Sequence, residues 1–504
     1  KNIRPSLLGR TLQIAPEKDD FNAETDTPIR TNGVQQALGS AVLTWNKPWF
    51  DTKLLLSQQL VSIDYAITDF DGSPMPIATF EARNYSKPRT VELQFLSNAE
   101  SWGADRIEWV TGIYYLDNVA GLDPVGFHAA PNLLAGGLAL AGLTLPQGLQ
   151  DLLDELPIEQ TPLGEGVGLS LQGVLNTRST SAYVQGTYKL TDSLDLTLGG
   201  RYQEERRFLT KSRTGARTPD GGYQNLINWP LDSATAKTFS PKAVLSWHPL
   251  DDTMIYASYA VGYKSGTYNI ANLYTPPNYI EPEKVTTVEL GAKADLFGGL
   301  LRVNGAIFNN EIDNFQTGFT SLLTTGAVRF ISAPAARTRG AEIDATFLPM
   351  PDLNPGLAVS ANAAYVDAKY TDFPNALGFD ETTGILIPMV DATGKRITRN
   401  PKLSGGVGIV QAIEAPSGTF EVGVDGYYNS GFYYDFINTV EEKSYSILNA
   451  RLSYLHTPWN TRITVYGKNV LDKRYHTQLM QTDFGVLSTL AAPVEYGMRI
   501  GWAF

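Results

Sequence analysis

The chain has 504 residues, a formal net charge of −12 and no cysteine, which excludes disulfide bonds, thiolate chemistry and cysteine-based zinc sites. Its four histidines lie too far apart in the sequence for a local metal motif, and the acidic balance argues against nucleic acid, whose phosphates need a basic face. We therefore predict no metal site, no cofactor and no nucleic-acid partner.

The chain divides into a short first segment and one long region of strands. Residues 1–35 show no apolar period, and we predict a loop there, on the extracellular side, that leads into the first strand. From residue 36 to residue 504, segments of about nine to twelve residues alternate between apolar and polar side chains, which is the length that a tilted strand needs to cross a bilayer. We expect about seventeen such strands, and 36–504 to form part of one β-barrel.

The longest predicted connection is the segment 118–177. It contains an apolar stretch that glycines interrupt and that is too short for a membrane helix, followed by residues with a helical period. We predict a short amphipathic helix within a long extracellular loop. A core helix of a separate globular domain is the alternative, but no neighbouring segment provides a second layer for it to pack against.

The last strand shows why a barrel is favoured over a soluble sandwich. Tyr496, Met498 and Trp502 alternate with Glu495 and Arg499. In a dry core the charged face would cost several kcal/mol for each unpaired ion, whereas a wet or plugged lumen removes that cost. Short turns also alternate with long polar connections, as they do in outer-membrane barrels. The predicted fold class is therefore all-β, as a transmembrane antiparallel β-barrel.

Five stretches in the same order along the chain resemble the TonB-dependent outer-membrane receptors. They are 181–202, 256–266, 282–293, 338–343 and 467–475, the last reading Gly-Lys-Asn-Val-Leu-Asp-Lys-Arg-Tyr. The resemblance implies a 22-stranded barrel in the outer membrane of a Gram-negative bacterium, without enzymatic activity. It also implies active uptake of a scarce ligand, most often a ferric siderophore, energised by the TonB–ExbB–ExbD complex. The aromatic last strand, with Tyr496, Trp502 and Phe504, resembles the signal that directs barrel assembly.

The chain also departs from the family pattern. Neither a TonB box nor a globular plug is recognisable, and about five of the 22 strands are missing, so that an open sheet would expose unpaired backbone groups to lipid. We therefore expect the chain to be the barrel part of a longer, cleaved or two-chain receptor, whose N-terminal chain or segment carries the plug and the first strands. The alternatives are a smaller barrel closed by these strands alone and, as a function, a passive porin.

Two groups of residues are candidates for ligand binding. Arg207, Lys211 and Arg213 are predicted at the start of a long loop, where they could attract an anionic ferric chelate, contact the phosphates of lipopolysaccharide or simply belong to a solvated loop. The second group is aromatic, at the tops of strands, and could stack against an aryl or sugar ligand or form the outer aromatic girdle of the barrel. Its members are Tyr263, Tyr268, Phe432, Tyr433 and Tyr434.

Overall fold

A single antiparallel sheet forms a barrel in which each strand lies beside the next one along the chain. The computed structural model describes residues 6–7, 10–11, 33–69, 78–129, 167–217, 223–271, 275–321, 327–380 and 386–502. Within these ranges, antiparallel pairing runs from the first strand, Gly33–Asn46, to the last, Glu495–Trp502, and no backbone register joins these two strands to each other. The fold class expected from the alternating pattern is confirmed, because polar and apolar side chains alternate in a meander of hairpins.

Seventeen strands of the described residues make up the barrel, in agreement with the predicted number. The third strand is divided into two halves, and each half pairs with the strand before it and with the strand after it. The first nine strands are β1 (Gly33–Asn46), β2 (Asp51–Asp69), β3 (Ala78–Ser86 and Arg89–Leu96), β4 (Ile107–Ala129), β5 (Val167–Thr191), β6 (Leu194–Arg217), β7 (Ser233–Leu250), β8 (Thr253–Lys264) and β9 (Glu283–Leu296). The remaining eight are β10 (Leu301–Ser321), β11 (Ala327–Phe347), β12 (Leu357–Asp372), β13 (Leu403–Ala415), β14 (Gly418–Asn429), β15 (Tyr445–His456), β16 (Thr461–Lys468) and β17 (Glu495–Trp502).

Shorter elements lie outside this series. A 3-10 helix, Thr457–Trp459, forms the turn between β15 and β16. The strand Tyr223–Asn228 pairs with the upper part of β6. Five small hairpins are Ser6–Leu7 with Arg10–Thr11, Thr267–Tyr268 with Tyr279–Ile280, Ala376–Phe379 with Leu386–Val390, Phe432–Tyr433 with Glu441–Glu442, and His476–Thr482 with Gly485–Leu490.

Several strands are longer than the about nine to twelve residues needed to cross a bilayer; β4 has 23 residues and β5 has 25. The loop predicted over 118–177 is wrong in its bounds, because β4 continues to Ala129 and β5 starts at Val167. In these segments the backbone groups of β4 still pair with those of β5, from Asn118 with Thr177 to Ala129 with Val167, which satisfies their hydrogen bonds. The predicted short helix and the aromatic C-terminal residue Phe504 lie outside the described residues.

Side chains that point out of the barrel form an apolar belt. Val288, Leu290 and Ile307 are about half exposed on neighbouring strands. Side chains of the opposite parity face the lumen and pair with one another: the Tyr256 hydroxyl donates to Glu289 over 2.7 Å, and Arg451 lies 3.1 Å from Glu421. A charged lumen and an apolar exterior are what a membrane barrel requires, and the reverse of a soluble one.

The two ends of the barrel differ. At one end, which we call the short-turn end, consecutive strands are joined by turns of a few residues, as between β7 and β8. Exposed tryptophans stand near this end, as expected of an interfacial girdle; they are Trp49, Trp102, Trp247, Trp459 and Trp502. At the other, the long-loop end, the connections of the described residues carry the four small hairpins that lie between barrel strands. No helix in the described ranges is long and apolar enough to span a membrane.

The junction between β17 and β1 differs from every other neighbouring pair. A residue-by-residue register joins consecutive strands from β1–β2, in which Gly33 pairs with Asp64, to β16–β17, in which Thr461 pairs with Trp502. All 14 residues of β1 are exposed, as are seven of the eight in β17. In β7, by contrast, exposed and partly buried residues alternate. The two strands at this junction therefore lack the cover that neighbours provide elsewhere.

The opposite faces of one strand provide a test of the orientation. Ala363 points out of the barrel and Asn362 into the lumen, and both are exposed in β12. Ala363→Arg should lower the free energy of unfolding by about 2–4 kcal/mol, because it places a charge near the middle of the lipid belt. Asn362→Arg, the matched control, should change it by less than about 1 kcal/mol, since the lumen is polar. Urea unfolding in phosphatidylcholine vesicles measures both, and equal losses would contradict the assigned faces.

Candidate ligand-binding site

The loops at the long-loop end fold over the barrel mouth and pack against its inner wall. Their core combines Ile312, Ala336 and Tyr370 from the strands with Phe373 and Phe436 from the loops. Tyr370 and Phe373 are almost completely buried, with ring centroids 5.1 Å apart, and Phe373 lies 5.7 Å from Phe436. Because a buried aromatic side chain contributes a few kcal/mol, this cluster holds the loops in defined positions at the mouth.

A cavity of about 230 Å³ opens beside this core. It is formed where β10 and three loops meet, so that no single segment of the sequence contains it. Phe319 and Phe379 stack on one side with centroids 5.2 Å apart. The lining combines aromatic, cationic and thioether side chains with one carboxylate, Asp435, whose oxygens accept hydrogen bonds from Thr439 and Val440. The other lining residues include Phe319, Phe379, Arg399, Tyr434 and Met480. Such a mixture suits a ligand with flat rings and negative charge.

Arg399 is the cation of the cavity. Its guanidinium lies 5.3 Å from the centre of the Tyr434 ring, a cation–π distance. Among the described residues, no carboxylate forms a salt bridge with Arg399, although Asp435 lines the same cavity, and the Arg399 side chain is exposed. Its φ of 57° is left-handed, which costs a residue with a side chain about 1–3 kcal/mol, and the Arg399 N–H donates to the Tyr433 carbonyl over 2.7 Å. The backbone of Arg399 is thus strained, and its guanidinium stands at the mouth without a salt bridge to any described carboxylate.

Tyr434 is fixed from two sides. Its hydroxyl donates to the His476 carbonyl over 2.9 Å, which ties the loop after β14 to the hairpin before β17. Burial raises the pKa of Tyr434, and the nearby Glu442 carboxylate raises it further, so the hydroxyl stays a proton donor. Since the hydroxyl is already engaged, only the ring of Tyr434 is presented to the cavity.

The aromatic candidates of the loop after β14 come together as a group. Phe432 and Tyr434 meet edge to face at 5.0 Å, and Tyr433 has the Arg396 guanidinium 5.5 Å from its ring centre. Sequence reasoning missed Arg396 and Arg399, although the basic run 395–399 in a long loop was a signal that could have found them. It had no means of finding the contributions of β10 and of the hairpin before β17.

The basic candidates do not form one patch, because the register of β6 shifts by one residue between Leu209 and Lys211, so that odd-numbered side chains point inward before the shift and outward after it. Arg207 points inward and pairs with Glu205, which is 7% exposed, over 2.7 Å. Lys211 lies 3.2 Å from Asp123, and Arg213 is exposed; their register partners Val174 and Gln172 place them on the outer side. The prediction that these residues begin a long loop is therefore wrong, because they lie within β6, which continues to Arg217.

The two remaining aromatic candidates lie in different environments. Tyr263 follows the outward parity of β8, in line with the exposed Tyr259, and faces the outside of the barrel. Tyr268 is 1% exposed and its hydroxyl donates to Asp232 over 3.1 Å. Burial, followed by this carboxylate, raises the pKa of Tyr268. Neither residue lies among those that line the cavity.

Comparison with known proteins agrees with this architecture. The family model described as "TonB dependent receptor-like, beta-barrel" matches residues 9–470. The chain belongs to the TonB-dependent receptors. The predicted outer-membrane location is confirmed, and membership of a family of receptors and transporters is consistent with a chain that is not an enzyme. By the rule for such barrels, the long-loop end is extracellular and the short-turn end periplasmic.

The similar proteins include a curated relative and two solved structures. The pesticin receptor of Yersinia pestis is 24% identical over 343 residues, 66% of this chain and 44% of the receptor. The ferric yersiniabactin uptake receptor FyuA of Yersinia pestis superposes with a TM-score of 0.69 at 16% identity, over 93% of this chain and 61% of that one. The siderophore receptor PiuA of Acinetobacter baumannii gives 0.65 at 17%, over 93% and 64%. The chain thus spans less than two thirds of each of these proteins.

The pair of Arg207 with Glu205 predicts a structural effect. Arg207→Ala should lower the free energy of unfolding by about 3 kcal/mol, because it leaves a buried carboxylate without its cation. Arg207→Lys, which keeps the charge, should recover most of that loss. Thermal unfolding in detergent, followed by tryptophan fluorescence, measures both variants, and an unchanged midpoint for Arg207→Ala would show that the pair contributes nothing to stability.

Proposed function

We propose that this chain forms the wall and extracellular mouth of an active importer for a ferric siderophore. The observation that carries the proposal is the Arg399 guanidinium, without a salt bridge to any described carboxylate, above the Tyr434 ring in an aromatic cavity at the mouth. An anionic iron chelate would gain charge-assisted hydrogen bonds from the guanidinium, and its rings would stack on the cavity walls. The relatives that are named as siderophore receptors support this class of ligand.

The size of the cavity fits part of such a ligand. A volume of about 230 Å³ is below the range typical of complete small-molecule sites. The remaining surface would come from the apex of a plug, which in this family fills the barrel beneath the loops. The same plug would connect the chain to TonB, ExbB and ExbD and so to the proton gradient of the inner membrane.

The proposed importer is completed by further polypeptide at the β17–β1 junction. Both strands are exposed along almost their whole length, so the junction offers room for added strands. In lipid, each backbone group without a partner costs several kcal/mol, and added strands remove that cost. A second chain or another segment of the same receptor that carries the plug and the first strands would serve both needs.

Substitution of Arg399 tests the ligand site. Arg399→Gln should weaken binding of the recognised ferric siderophore at least about tenfold, because one charge-assisted interaction contributes about 1.5–3 kcal/mol. Lys395→Gln is the matched control, since Lys395 is an exposed cation of the same loop that does not line the cavity. Isothermal titration of the purified receptor with a ferric tris-catecholate, a ferric trihydroxamate and ferric citrate gives the affinities.

Two results would contradict the proposed ligand site. If wild-type receptor binds none of the three chelates, the ligand is not of this class. If one chelate binds and Arg399→Gln keeps full affinity while its heat-dependent gel mobility is normal, the ligand is bound elsewhere.

Mass spectrometry tests the completion of the barrel. Receptor purified from native outer membranes should contain a polypeptide that carries a plug, either as a separate chain or within a longer one. This is expected because the β17–β1 junction must be covered in lipid. A homogeneous, folded species with only the 55.1 kDa mass of this chain would overturn the proposal.

A further inference from the structure

A cluster of cations lies on the outer wall of the barrel, away from the mouth cavity. Arg178 of β5 and Arg206 of β6 are register partners, directly opposite each other in the antiparallel pair. Both are exposed, and both follow the outward parity of their strands, which includes the exposed Val184 on β5 and Tyr202 on β6. Two like charges directly opposite on one face destabilise a sheet, so this arrangement calls for an explanation.

The two guanidiniums share one aromatic ring. Arg178 lies 5.4 Å and Arg206 5.3 Å from the centre of the Phe208 ring. The ring holds both side chains close to the wall by cation–π contacts, instead of letting them separate into solvent. The Phe208 ring therefore keeps the two positively charged side chains close to each other.

The carboxylates nearby neutralise the cluster only in part. Asp117 lies 3.2 Å from Arg178, while Glu204 lies 3.5 Å from Lys237. In the part of the chain that the structure describes, no carboxylate pairs with Arg206. We define the outer basic patch as five cations, which three carboxylates accompany in a chain that is acidic as a whole. Its members are Arg178, Arg206, Lys211, Arg213 and Lys237.

The height of the patch on the wall points to the lipid headgroups. Tyr202 and Phe239 are register partners, 48% and 56% exposed, and mark the aromatic girdle on β6 and β7. Arg206 follows Tyr202 by four residues, which is about 13 Å along a strand and about 10 Å along the membrane normal for a tilt near 40°. Side chains at this level reach the zone of headgroup phosphates just above the girdle.

We propose that the outer basic patch binds the phosphate groups of outer-leaflet lipid headgroups, with Arg178 and Arg206 sharing one phosphate. A phosphate between the two guanidiniums turns their repulsion into two attractions, and the planar forks of arginine match its oxygens. Lys211 and Arg213 lie further toward the extracellular side on the same strand and extend the patch. The proposal is independent of the ligand at the mouth, because the patch lies outside the barrel.

Binding of defined phosphate compounds to the purified receptor in dodecyl maltoside tests the proposal. Native mass spectrometry would compare three probes: bis-phosphorylated lipid A, lipid A without its phosphates, and inorganic phosphate. We expect the bis-phosphorylated lipid to bind most tightly, and the double variant Arg178→Gln with Arg206→Gln to weaken it at least about tenfold. The lipid without phosphates should bind weakly and equally to wild type and variant.

The controls separate charge, position and folding. Arg106→Gln removes an exposed arginine at the short-turn end and should leave lipid A binding unchanged. If the double variant does not fold, Arg206→Gln alone is used, because in the described residues it leaves no carboxylate unpaired; heat-dependent gel mobility reports folding in each case.

Two outcomes overturn the proposal. Undiminished binding of bis-phosphorylated lipid A to the folded variants would show that the patch does not hold it. Binding of inorganic phosphate as tight as that of the lipid, with the same sensitivity to the substitutions, would identify a site for free phosphate and not a lipid-binding surface.

Discussion

Backbone hydrogen bonding between neighbouring strands is the constraint on which the rest of this structure depends. A membrane interior offers no water to a peptide group, so each N–H and C=O within it must find a partner on an adjacent strand. The long meander from β1 to β17 satisfies that demand with a continuous antiparallel register. The same demand gives meaning to the exposed junction of β17 and β1, since a sheet edge that is harmless in water is costly in lipid.

Once the backbone is paired, the two faces of each strand serve different environments. Along β6, Arg206 faces outward beside Phe208, whereas the next residue, Arg207, faces inward onto the buried Glu205. Two adjacent arginines thus make different contacts, Arg206 on the outer wall and Arg207 inside the barrel. A one-residue change of register would exchange these contacts, which is why the pairing must be unambiguous.

Loops and strands of the described residues form a buried core at the long-loop end. There, inward side chains such as Tyr370 pack against Phe373 and Phe436 of the loops. The core gives the loops the rigidity that a binding site needs, because a guanidinium placed by packed neighbours loses little entropy on meeting an anion. Arg399 and Tyr434 are held in this way, by backbone and side-chain hydrogen bonds respectively.

Much of the fold followed from the sequence alone, because alternation with a period of two and the alternation of short and long connections are local properties. They were sufficient for the number of strands, for the lipid-facing and lumen-facing sides and for the family. The aromatic group at 432–434 could also be found, since its members are adjacent in the chain. The ends of β4 and β5 could not, because pairing beyond the bilayer depends on the neighbouring strand.

Only the tertiary structure decided which residues share a site. The cavity joins Phe319, Arg399 and Met480 from three distant segments. The separation of Arg207 from Lys211 and Arg213 depends on the register shift in β6, which only the pairing with β5 reveals. The physical reason is that periodicity is written into each strand, whereas the meeting of loops depends on packing between segments far apart in the chain.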